Sequence, residues 1–107
     1  LRDVVGTVRM TKFAWARGEE FFCEPWLLND TLNPVSAELS VSVTIEGVTY
    51  DLGTCTLDAK SNENAQGTKL SFTIPVNIPD KTRMEVSCRY VIDGNVHFNN
   101  YSMLILD

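Results

Sequence analysis

The chain has 107 residues, 44% hydrophobic and 21% charged, with nine Lys and Arg against fourteen Asp and Glu for a formal charge of -5. That length suits one domain with a single core, and the ordinary globular composition sets aside disorder and fibrous repeats. The basic residues, from Arg2 to Arg89, are dispersed through an acidic chain, which argues against nucleic acid and anionic membranes as partners, because phosphate binding needs concentrated positive charge.

No apolar run approaches the roughly 20 residues that span a bilayer. The opening Leu1-Arg2-Asp3 has neither an initiating Met nor the pattern of a signal peptide, so residues 1–107 read as a single domain cut from a longer polypeptide.

Taken in chain order, Val4 to Lys12 is the first expected strand, followed by a turn around Arg17-Gly18. Glu20 to Asn29, rich in aromatic and aliphatic residues, is a second strand. The run Leu39-Ser40-Val41-Ser42-Val43-Thr44-Ile45-Glu46 alternates apolar and polar without a break, so one face packs and the other meets water. Alternation resumes at Val48-Thr49-Tyr50-Asp51-Leu52, predicting a hairpin that turns at Glu46-Gly47.

Lys69 to Val76 repeats the pattern, with Leu70, Phe72, Ile74 and Val76 expected inward. Pro75 has no amide donor and belongs near an edge or where the strand leaves its sheet. Met84 to Ile92 alternates again, Asp93-Gly94 is a two-residue turn signal, and the chain returns through Val96, Phe98, Tyr101, Met103 and Ile105. Asn29 to Pro34 and Ser61 to Gly67 are polar, turn-forming stretches between strands. About seven or eight short strands and no helical periodicity predict an all-β, immunoglobulin-like, two-sheet antiparallel β-sandwich.

Cys23 and Cys88 stand 65 residues apart, about the spacing of the second and sixth strands of an immunoglobulin domain, and share the inward parity of their strands. A bridge between the sheets is one reading. The other is three buried free thiols, Cys23, Cys55 and Cys88, favoured by the odd count and by the lack of the usual core Trp and of a Tyr two residues before Cys88.

Groups for chemistry are sparse. His97, the one imidazole, lies on an expected strand between polar neighbours and reads as a solvated residue. No zinc, calcium, phosphate-loop or nucleophile-elbow pattern occurs, so no cofactor and no metal is expected. Glu19 and Glu20 are adjacent, which on a strand sends them to opposite faces and not into a glycosidase carboxylate pair. The isolated domain therefore reads as no enzyme.

Trp15 and Trp26 are the candidate contact residues for carbohydrate or for a neighbouring domain. Trp26 alternates with Phe22, Glu24 and Leu28 on the face opposite Cys23; Trp15, beside a polar turn, is expected to be the more accessible. Two N-x-S/T sequons occur, Asn29-Asp30-Thr31 and Asn100-Tyr101-Ser102, and chance accounts for both.

The stretch Gly18-Glu19-Glu20-Phe21, the strand end Asn29-Asp30-Thr31, the alternating Leu39 to Val43 and the later Leu70 to Pro75 together resemble the accessory sandwich domains of glycoside hydrolase family 2, the β-galactosidase and β-mannosidase relatives. The resemblance covers roughly the first three quarters of the chain. It implies a non-catalytic domain in a larger periplasmic or extracellular glycosidase, with the other domains of that polypeptide, a catalytic β/α barrel above all, as its partners. An independent carbohydrate-binding or protein-binding, adhesin-like module is the alternative.

Overall fold

A computed structural model describes residues 4–107, so Leu1, Arg2 and Asp3, with the chain opening they define, lie outside the described residues. Nine strands form: β1 (Val4–Arg9), β2 (Ala14–Ala16), β3 (Glu20–Asn29), β4 (Val35–Ile45), β5 (Val48–Ala59), β6 (Asn64–Gln66), β7 (Leu70–Thr73), β8 (Thr82–Ile92) and β9 (Asn95–Leu106). They build a four-stranded sheet, in which β3 is flanked by β1 on one side and by β6 and β7 on the other, and a five-stranded sheet ordered β2-β9-β8-β4-β5. The expected all-β two-sheet sandwich is the fold found. One pair departs from the antiparallel expectation: β2 runs parallel to β9, with Trp15 opposite Ile105. The chain gets there by switching sheets, because β1 pairs with β3 and the next strand joins β9.

The core is where alternation placed it. Leu39, Val41, Val43 and Ile45 of β4 face Phe21, Cys23 and Leu27 of β3, all at most 2% exposed. Val86 and Cys88 of β8, with Met103 and Ile105 of β9, complete the inner layer of the larger sheet. Tyr50 and Phe72 bring their ring centroids to 4.8 Å between the sheets. Both expected hairpin turns form, Glu46-Gly47 and Asp93-Gly94, each with two positive-φ residues, the geometry whose twist matches that of the flanking strands.

Three local departures have physical causes. First, β5 runs on to Ala59, well past Leu52. The register shifts between Val41 and Ser42, so that Leu52 is an extra residue, and Gly53 takes φ 132°. This bulge moves the inward positions from Tyr50 to Cys55, Leu57 and Ala59, which breaks the sequence alternation without ending the strand.

Second, Ser61 to Gly67, expected as a turn, contains β6. It is separated from β7 opposite Pro25, whose missing N–H interrupts the ladder while its carbonyl still accepts from Gly67 N at 2.8 Å. Third, Val76, expected inward, is 69% exposed. The strand leaves the sheet after Thr73, and Ile74 is held instead by backbone bonds with Gly18 and Glu19. Pro75 sits at that departure, as expected.

The corner after β3 is tied by Asn29, a buried polar residue 2% exposed. Its Nδ2 donates to the carbonyls of Asn33 (2.8 Å), Lys60 (3.0 Å) and Ala59 (3.3 Å). Its Oδ1 accepts from Thr31 N (3.1 Å) and Thr31 Oγ1 (2.6 Å). One amide thus joins the end of β3 in one sheet to the end of β5 in the other. It also leaves no free Asn29 amide for a glycan on the folded chain.

Candidate binding site

Outward-pointing side chains of β1 and β3 and the connection from β1 to β2 enclose an open groove of about 500 Å³. Period-two alternation sets its floor: Trp26 and Leu28 face away from the core on β3, with Thr7 directly across from Trp26 on β1. Arg9 lays its guanidinium 5.4 Å from the Trp26 ring centroid, a cation-π contact that holds both side chains. The wall is Phe13, 65% exposed, on the segment that crosses between the sheets. Tyr101 of β9 closes one end, its hydroxyl 2.8 Å from Thr7 Oγ1, and Asn64 of β6 stands at the rim. The lining is thus aromatic and aliphatic with a guanidinium, a phenol and an amide at its margins, the mixture found in small-ligand sites.

The two tryptophans part company. Trp26 is half-buried in this groove, with a buried Nε1 that has no hydrogen-bond partner. Trp15, expected to be the accessible one, is 2% exposed: on β2 it points inward, edge-on to Phe21 (4.9 Å) and Phe22 (5.8 Å). Lys12 covers what remains, with Nζ 4.6 Å from the ring centroid. The cause is the sheet switch, which converts the segment beside the turn into a paired strand. Phe13 and Arg9, which sequence reasoning passed over, are the residues that the same switch leaves facing solvent.

The titratable groups that the sequence singled out, Glu19, Glu20 and His97, are not among the residues lining the groove. Lys12 hydrogen-bonds the Glu19 carboxylate and Ala16 N–H adds a second bond, and together they hold Glu19 below the usual carboxylate range. Glu20 points elsewhere, exposed on its strand. His97 is exposed on β9 and stacks on Tyr90 with centroids 4.9 Å apart. Among the described residues no group of three or more His, Cys, Asp and Glu is placed to hold a metal ion.

Cys23, Cys55 and Cys88 are free thiols. Burial, then the neighbouring Cys88 and Cys55, pushes the Cys23 thiol up to about 12. Burial, then Cys55, pushes Cys88 up to about 11, and burial also raises Cys55. Cys23 and Cys88 are therefore core packing residues with little thiolate, the reactive form of a thiol, near neutral pH.

No family model matches the chain, and no curated protein matches it. Solved structures do. The CARDB domain of the PF1109 protein from Pyrococcus furiosus, solved with di-metal ions, aligns with TM-score 0.71 and 12% identity over 98% of this chain and 89% of that one. Spo0M, a sporulation control protein from Bacillus subtilis, aligns with TM-score 0.64 and 15% identity over 97% of this chain and 49% of that one. A family 123 glycoside hydrolase from Clostridium perfringens aligns with TM-score 0.62 and 14% identity over 98% of this chain and 28% of that one. The chain therefore spans about half of Spo0M and a smaller part of the hydrolase. At these identities the likeness is one of fold: the chain is a β-sandwich module of an architecture shared by proteins with unrelated tasks.

Proposed function

We propose that the chain is a non-catalytic binding module and that its ligand is a carbohydrate, taken up in the groove beside Trp26. The observation that carries this reading is the pairing of a solvent-facing Phe13 with the half-buried Trp26 around one concavity, with Arg9 and Asn64 at its margins. A pyranose ring has an apolar C–H face suited to an aromatic wall and equatorial hydroxyls suited to guanidinium and amide groups. The overall charge of -5 favours a neutral sugar over a polyanion.

The test is a titration of the chain with a panel of neutral oligosaccharides, followed by amide chemical shifts. Saturable shifts at Thr7, Arg9, Phe13 and Asn64, lost in Phe13→Ala, support the reading. No saturable binding up to millimolar sugar refutes it. Trp15→Ala is no test, because that ring is inside the core.

A second reading has its own support: an accessory sandwich of a glycoside hydrolase family 2-like enzyme, packed on the catalytic β/α barrel of the same polypeptide outside the cytoplasm. The family 123 hydrolase carries a similar sandwich as a minor part of its length. In that case the groove is a contact with a neighbouring domain, and the isolated chain binds no sugar.

A further inference from the structure

The long edges of the two sheets are not equally protected. Unpaired strand edges expose rows of backbone N–H and C=O groups, and natural proteins blunt them with charge, proline, bulges or breaks. Among the described edges, β5 carries the bulge at Leu52 and Gly53 together with Asp51 and Asp58. The edge formed by β6 and β7 is broken opposite Pro25. At β1, the Gly6 carbonyl is taken by Asn99 Nδ2 at 2.6 Å.

β9 has no such device. From Asn95 to Leu106 it contains no Asp, Glu, Lys, Arg or Pro, and its register with β8 is unbroken. β2 covers only Leu104 to Leu106. Two bonds fix which backbone groups face outward: Leu104 N donates to Phe13 O at 3.0 Å, and Leu106 O accepts from Arg17 N at 3.2 Å. By the two-residue period, the N–H and C=O groups of Val96, Phe98, Asn100 and Ser102 point the same way, off the sheet, where no described strand meets them. Their side chains lie on the outer face, Val96 45% and Phe98 63% exposed.

We infer that this edge is a self-association surface, at which a second copy of the chain adds its own β9 antiparallel and joins the two five-stranded sheets into one. The register that uses the whole open stretch sets Val96 opposite Ser102 of the second copy and Phe98 opposite Asn100 of the second copy, each pair exchanging both backbone bonds. It is symmetric about Asn99, as a twofold dimer requires.

Charge favours a second copy over a foreign strand. β9 is uncharged, so two of them meet without repulsion, and the neighbouring β8 charges fall in different rows. Arg89 lies beside Phe98, whose row continues into Asn100 and Ser87 of the second copy; Glu85 lies beside Ser102, whose row continues into Val96 and Val91 of the second copy. No like charges come opposite each other. The groove beside Trp26 shares Tyr101 with this strand, but the association is read without sugar, so this inference stands or falls apart from the carbohydrate reading.

Sedimentation velocity from micromolar to near-millimolar chain tests it. The expected result is a reversible monomer–dimer equilibrium that Phe98→Lys weakens about tenfold or more, by placing like charges at the junction. Asn100→Pro should do the same, because the amide it removes faces outward and not toward β8. Both variants should melt within a few degrees of the parent, and should Asn100→Pro fail to fold, Phe98→Lys decides. A monomer throughout the range, including one that instead captures an unrelated extended peptide, overturns the inference. So does a dimer that Phe98→Lys leaves unchanged.

Discussion

Replacing Asn29 with alanine removes an amide that no water can replace in full. Its five contacts comprise three Nδ2 bonds, to Asn33, Lys60 and Ala59, and two Oδ1 bonds, from Thr31. A typical intramolecular bond contributes about 1 kcal/mol net, but the carbonyls of Asn33 and Lys60 and the hydroxyl of Thr31 are near enough to solvent to recover part of their share. The contact with Ala59 is buried, so that carbonyl is left dry, costing about 1–2 kcal/mol more.

The sum is about 3 kcal/mol, a large fraction of the roughly 5–15 kcal/mol that holds a domain of this size. It corresponds to a fall of roughly 10–15 °C in melting temperature. Urea unfolding of Asn29→Ala, followed by the fluorescence of the buried Trp15, measures it. The midpoint should drop while the slope, which reports exposed surface, stays as it was.

Asn29→Asp sharpens the test, because it keeps the shape and turns donors into a carboxylate facing carbonyls. That environment raises the introduced group's pKa in the folded state above its unfolded value. The folded state then binds the proton more tightly, so the deficit of this variant relative to the parent should shrink as pH falls through the folded pKa. If Asn29→Ala costs less than about 1 kcal/mol, or if the aspartate variant shows no relative gain in acid, the idea that one amide ties the two sheets is wrong.

Further outcomes follow from the packing. Gly6→Ala places a methyl 2.5 Å from Tyr90 Cγ, against the ring's root and not a flexible tip, so β1 or Tyr90 must shift at a cost of about 2–4 kcal/mol, measured by thermal melting. Trp15→Ala should cost about 3–5 kcal/mol and be the more damaging of the two tryptophan truncations.

In the native chain, Cys23 and Cys88 should resist thiol reagents near neutral pH, while denaturant exposes all three cysteines to titration. Their folded pKa values lie above the ordinary 9.0, so above about that pH the unfolded chain releases protons that the folded one keeps. Stability should therefore fall as pH rises past 9, and replacing both cysteines with alanine or valine should flatten that fall.

The parts of the fold legible in the sequence are those governed by one local rule. Leu39 to Ile45 alternates without interruption and lies between β8 and β5, in unbroken register with β8, so parity alone gave its buried face. Glu46-Gly47 and Asp93-Gly94 are turns whose residues accept positive φ without help from the rest of the molecule. What escaped depends on partners distant in sequence. The bulge at Gly53 reverses parity within β5, and β6 is polar because it only needs backbone bonds to Leu27 and its neighbours.

Of the site, Trp26 and its outward parity could be read directly. Trp15 could not, because whether Ala14–Ala16 is loop or strand is decided by Leu104 to Leu106 at the other end of the chain. One signal was available and unused: Pro25 within the second strand, which marks where a neighbour must break.

The contacts that close the sandwich join its beginning to its end. Thr7 with Tyr101, Gly6 with Asn99, Arg17 with Asp107, and the parallel pair of β2 and β9 all span 90 residues or thereabouts. Closing so long a loop has to precede any reward from those contacts, which makes this a slow-folding topology. During synthesis β2 has no strand to pair with until Leu104 to Leu106 emerge, so the burial of Trp15 is not complete before then. The order of events is thereby fixed by geometry: hairpins β4–β5 and β8–β9 can assemble as they appear, and the chain's first strand to switch sheets is its last to dock.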